Sequence, residues 1–121
     1  MRVLSIGQCG YDDSQLARAV REVGATLERA LDAEDALKML AANKYALVLV
    51  NRVFDADGES GVDFISAARK TGHAPPLMLV SDYPEAQAKA VAEGALLGFG
   101  KSALGTAEVS ALLRQVLAAP P

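Results

Sequence analysis

The run Leu47-Val48-Leu49-Val50 is apolar and of strand length, and it stops at Asn51-Arg52. In an open parallel sheet the reacting groups sit outside the carboxyl ends of the strands, so the first polar residue after such a run stands where a nucleophile would. A carboxylate there could accept a phosphoryl group and hold a metal. Asn51 offers a neutral amide, a poor nucleophile and a weak ligand for a hard cation. The single cysteine, Cys9 in Gly7-Gln8-Cys9-Gly10, excludes an internal disulfide. It lies near a helix N-terminus, which can lower a thiol's pKa. With no second cysteine to resolve a sulfenic acid and no basic neighbour in sequence, it reads as a small packed side chain. His73, the only histidine, sits in a turn-like Thr71-Gly72-His73-Ala74-Pro75-Pro76, and one histidine with one cysteine is too few for zinc. Asp12 and Asp13 read as first-turn acids of a helix, and Asp55 and Asp57, the latter before Gly58, as turn formers.

The elements that position these residues follow from periodicity. Apolar runs alternate five times with stretches of helical period, the pattern of a parallel sheet covered by helices on both faces. The strands are expected at Arg2 to Gly7, Ala25 to Leu31, Ala46 to Asn51, Leu77 to Ser81 and Leu96 to Gly100, and the three nearly continuous apolar runs among them should be central. Asp12 with Gln15 and Asp82 with Glu85 have capping-box spacing, Asp32 and Thr106 read as N-caps, and Gly24 as the stop of the first helix. Val109, Leu112, Leu113, Val116 and Leu117 form the apolar stripe of a last helix that Pro120-Pro121 should end.

Composition bounds the function. The 121 residues, 51% hydrophobic, suit one domain spanning 1–121. A net charge of −3 leaves no basic stripe for direct nucleic-acid binding. The sequence has neither an apolar stretch of membrane-spanning length nor a secretory leader, so the cytoplasm is the expected location.

Laid end to end, Leu27-Glu28-Arg29-Ala30 with Asp32 to Leu37, Tyr45 to Val50, Leu77 to Ser81, and Glu93-Gly94-Ala95 followed by Lys101 resemble the receiver domain of two-component response regulators. The resemblance implies an α/β, flavodoxin-like (βα)5 doubly wound fold, a five-stranded parallel sheet in the order 2-1-3-4-5. It also implies a site at Asn51, Gly7, Gln8, Ser81, Asp82 and Lys101, and there this chain departs from the family. Gly7-Gln8 replaces the pair of acids that binds magnesium, and Asn51 replaces the acceptor aspartate. Ser81 and Lys101 match the family's hydroxyl and ammonium. Asp82 stands where the family has a small residue, and the expectation is that it supplies Lys101 with negative charge, by capping the fourth helix or by a salt bridge. Gly98 falls at the switch position, usually aromatic, and Phe99 should face the core.

The resemblance thus points to a pseudo-receiver with no catalytic residue, metal or cofactor, signalling through a protein partner or self-dimer. The expected face is the fourth helix, fifth strand and fifth helix, with Lys89, Glu93, Glu108 and Arg114. Two alternatives stay open. Asp55 or Asp57 could accept phosphate in place of Asn51, or the switch point could hold a small ligand such as flavin, for which Tyr11 is the obvious stacking aromatic.

Overall fold

In the computed structural model, which describes residues 1–118, five parallel strands make one sheet: β1 (Arg2–Ile6), β2 (Thr26–Ala30), β3 (Leu47–Asn51), β4 (Leu77–Val80) and β5 (Leu96–Phe99). Their order is β2-β1-β3-β4-β5, as expected. Each strand ends within a residue of its expected bounds. The central β1, β3 and β4 are the ones buried on both faces, which is why they read as nearly continuous apolar runs, interrupted in β1 by the buried Ser5. Expectations for Pro120-Pro121 lie outside the described residues.

Five helices cover the sheet: α1 (Gly10–Glu22), α2 (Ala33–Ala42), α3 (Gly61–Lys70), α4 (Pro84–Ala92) and α5 (Ala107–Ala118). One core packs Leu4, Ile6, Val48, Val50 and Leu79 against α2, α3 and α4, and the other packs Val3, Leu47, Leu49, Val80 and Phe99 against α1 and α5. The stripe of α5 is split by depth, with Val109, Leu113 and Leu117 buried and Leu112 and Val116 half-buried.

Asp32 caps α2 by accepting from Asp35 N, and the Thr106 hydroxyl accepts from Val109 N. Gly24, at φ +83°, turns the chain out of α1. The other two caps differ from expectation. Helix α1 is capped by Cys9, whose extended backbone lets Sγ accept from Asp12 N, so Asp12 lies inside the first turn and its carboxylate is free for another partner. Helix α4 starts at Pro84 after Tyr83 with no side-chain cap, because Asp82 is engaged elsewhere.

Candidate functional site

The carboxyl ends of β3, β4 and β5 border a cleft of about 340 Å³ lined by Asn51, Arg52, Val53, Val80, Ser81, Asp82, Tyr83 and Lys101. The Arg52 guanidinium lies 4.7 Å from the centre of the Tyr83 ring, a cation–π contact between two of its lining residues. Tyr11 is exposed and is not among the lining residues.

Asn51 ends β3, and its amide nitrogen donates to the Gly7 carbonyl at 2.9 Å and to the Val53 carbonyl at 2.7 Å. Both partners are acceptors, so this position calls for a donor. An ionised carboxylate has none. The Gly7 carbonyl also accepts from Asp55 N, so it joins β1 to the loop after β3. That loop carries Phe54 inward, 1% exposed, beneath a bridge between Val53 and Ser60.

Phe54 explains Gly7. A Cβ on Gly7 would lie 2.2 Å from Phe54 Cδ1, and the backbone there has φ +76°, a left-handed conformation that disfavours any side chain. At the first of the two positions where the resemblance implies magnesium-binding acids, the space is thus filled by an aromatic ring. Gln8, at the second, is 1% exposed, and neither Nε2 nor Oε1 has a protein hydrogen-bond partner. A magnesium ion needs hard oxygens, typically carboxylates. With Gly7 lacking a side chain and Asn51 using its amide as a donor, these residues do not fit the ion. Among the described residues no three His, Cys, Asp or Glu side chains are grouped to hold a metal.

Lys101 is paired, though not with Asp82. Its ammonium lies 2.6 Å from Asp12 Oδ2, and this hydrogen bond holds the Asp12 carboxyl below its ordinary pKa, with Cys9 adding to the effect. Asp82 instead accepts from the backbone N–H and the hydroxyl of Ser102, at the start of the short 3-10 turn Lys101–Ala103. It crosses directly over Gly100, where a Cβ would come within 1.7 Å of Asp82 Oδ1. The expected Asp82–Lys101 charge pairing is therefore corrected: the carboxylate comes from α1, and Asp82 caps the turn that carries Lys101.

Asp13 lies in the first turn of α1, as expected, and also makes tertiary contacts. It is buried, accepts from Ser5 Oγ at 2.5 Å and lies 2.6 Å from Arg29 Nε. Burial pushes its pKa up, against the opposing pull of Ser5 and Arg29. Asp55 and Asp57 are exposed, and Asp57 Oδ1 accepts from Glu59 N, the expected turn-forming role.

Ser81 is buried at the end of β4, and its hydroxyl accepts from Tyr83 N. Gly98 is the expected residue of β5, but it does more than lack a side chain. A Cβ there would lie 2.1 Å from the Leu79 carbonyl oxygen. Phe99 faces the α1/α5 core, as expected. Three functional candidates escaped sequence reading: Phe54, Asp12 as the partner of Lys101, and Gln87 of α4. The available signals were one aromatic residue in a loop of mostly polar and small residues, Arg52 to Ser60, and one glycine inside a strand.

No family model matches the sequence, nor does any curated protein. Solved structures do. The receiver domain of NtrX from Brucella abortus matches with a TM-score of 0.79, covering 98% of this chain and 99% of that one at 20% identity. The fold is that of receiver domains. A signal receiver domain of an HD domain-containing protein from Pseudomonas fluorescens Pf-5 matches with a TM-score of 0.80 at 23% identity, over 96% of this chain and 85% of that one. A longer NtrX chain from Brucella abortus gives 0.80 at 18% identity over 96% of this chain, which spans only 27% of that chain's length. Among the described residues no helix is long and apolar enough to cross a membrane.

Proposed function

We propose that this chain is a receiver-fold signalling module, located in the cytoplasm, that acts by protein contact and not through an aspartyl phosphate. The observation carrying the proposal is the pair of hydrogen bonds from the Asn51 amide to the Gly7 and Val53 carbonyls. They use the would-be acceptor as a structural donor between β1 and the β3–α3 loop. The chain is not an enzyme, and its cleft works without a metal or cofactor. Its ammonium group, Lys101, is held by Asp12, so the negative charge that a phosphoryl group would bring is supplied from within.

The partner, another protein or a second copy, binds the face formed by α4, β5 and α5. Support for this face is its exposed apolar surface, with Val91 44%, Leu96 43% and Leu97 65% exposed, among the charged Lys89, Glu93, Glu108 and Arg114. Such a patch with a charged rim suits protein contact. Intact-mass spectrometry after incubation with acetyl phosphate and magnesium tests the chemical half of the proposal. No phosphoryl gain is expected. A single acid-labile gain would overturn it and turn attention to Asp55 or Asp57.

A further inference from the structure

The ladder between β4 and β5 is irregular: Met78 pairs with Leu96 and Val80 with Phe99, so β5 has one extra residue. Gly98 lies in that bulge, with its backbone pressed against the Leu79 carbonyl. Into this gap α4 sends Gln87, 8% exposed. Its Nε2 donates to Leu79 O at 2.9 Å and to Ser81 O at 3.0 Å, while Oε1 accepts from Gly98 N at 3.0 Å. Both donor hydrogens and one acceptor site of a single buried amide thus bind three backbone groups on two strands. Buried backbone groups left without partners are costly, so this arrangement strongly favours one placement of α4 over the sheet.

We infer that Gln87 is a positioning residue that holds α4 and β5 in one arrangement, so that the exposed Val91, Leu96 and Leu97 are presented ready-formed to a partner whatever occupies the cleft. The inference rests on the reading of this face as the contact surface, but it concerns the face's rigidity and is tested without a partner. It binds the cleft to that face through the carbonyl of Ser81, which lines the cleft. Side chains of similar length without the amide cannot substitute. Methionine offers no donor, and an ionised glutamate keeps an acceptor for Gly98 N while presenting oxygen to the two carbonyls.

The test compares amide hydrogen exchange and NMR relaxation dispersion in the unaltered chain and in Gln87→Met. In the unaltered chain, α4 and β5 should show no millisecond exchange beyond that of β1 and β3. In Gln87→Met, exchange of the Gly98 amide should rise about tenfold or more relative to amides of β1 and β3, with α4 and β5 resonances broadened. If Gln87→Met does not yield folded protein, Gln87→Glu carries the same comparison through broadening of α4 and the end of β4. A rise shared equally by all strands would mean that Gln87 contributes only global stability, and it would overturn the inference. So would millisecond exchange of α4 and β5 in the unaltered chain. Neither result bears on phosphorylation, which the mass measurement decides separately.

Discussion

Asn51→Asp is the change a phosphoryl-accepting site would ask for, and here it should weaken the fold. The introduced oxygen would sit where Nδ2 now lies, 2.9 Å from Gly7 O and 2.7 Å from Val53 O. Two hydrogen bonds, each contributing roughly 1 kcal/mol net, would be replaced by contacts between like partial charges. Asn51 is half-buried, so solvent softens the repulsion, and the expected loss at pH 7 is about 1–3 kcal/mol. For a domain whose total stability is on the order of 5–15 kcal/mol, the variant should still fold. The assay is urea unfolding followed by circular dichroism, comparing the unaltered chain, Asn51→Ala and Asn51→Asp at a series of pH values. With a urea slope of about 1–3 kcal/mol per molar, the midpoint should fall by roughly 1 M at pH 7. Facing carbonyl oxygens disfavours ionisation, so the introduced carboxyl's folded pKa should lie above its unfolded value. The folded state then keeps its proton to higher pH. The deficit is full above the folded pKa and shrinks as pH falls through it, because a protonated carboxyl can again donate to one carbonyl. Asn51→Ala, with no charge to neutralise, should show no such recovery. Equal stability of Asn51→Asp and the unaltered chain at pH 7 would refute the donor argument, as would a deficit that does not change with pH.

Three further outcomes follow from the same region. Gln8→Met removes two buried polar atoms without protein partners while keeping the side chain's length, and should leave stability unchanged or raise it by about 1–2 kcal/mol in urea unfolding; a clear loss would show that the amide has partners after all. Gly7→Asp should destabilise far more than Asn51→Asp, since it faces both φ +76° and the Phe54 ring, and adding Phe54→Ala should fail to recover full stability because the backbone strain persists. A double-mutant cycle of Asp12→Asn and Lys101→Met should give a coupling of about 0.5–1 kcal/mol at pH 7. Because the Asp12 pKa is lowered in the folded state, this coupling should be present above the ordinary carboxyl range and vanish as pH falls through the lowered value; a coupling that persists in acid would contradict the pairing.

The strands were legible because Leu47 to Val50 and Leu77 to Val80 are buried on both faces, and burial on both faces leaves an unbroken apolar run in any sequence. The residue types at Asn51, Gly7 and Gln8 are plain in the sequence. What each residue does instead depends on contacts made across the fold. Asp12 meets Lys101 from 89 positions away, and only the cap at Cys9, which starts α1 before Asp12, turns the acid toward it. Asp82 had the spacing of a helix cap, but a serine two residues beyond Gly100 offered both a hydroxyl and a backbone N–H, and the missing Cβ at Gly100 opened the way. Gln87 was hidden most completely. It is one polar residue on a helix with a weak apolar stripe, and its role arises from a bulge in strand pairing that no local pattern encodes.

The ring of Phe54 over Gly7 also constrains the chain's future. An aspartate at Gly7 alone would meet the ring and a left-handed backbone, and loss of the ring alone would open a void in the core between the sheet and α3. Each first step is harmful by itself, so a path to a phosphoryl-accepting site passes through single variants less stable than the present chain. The aromatic plug acts as a mutational ratchet: changes that leave it in place are open one at a time, whereas building an aspartyl-chemistry site here would require several changes at once.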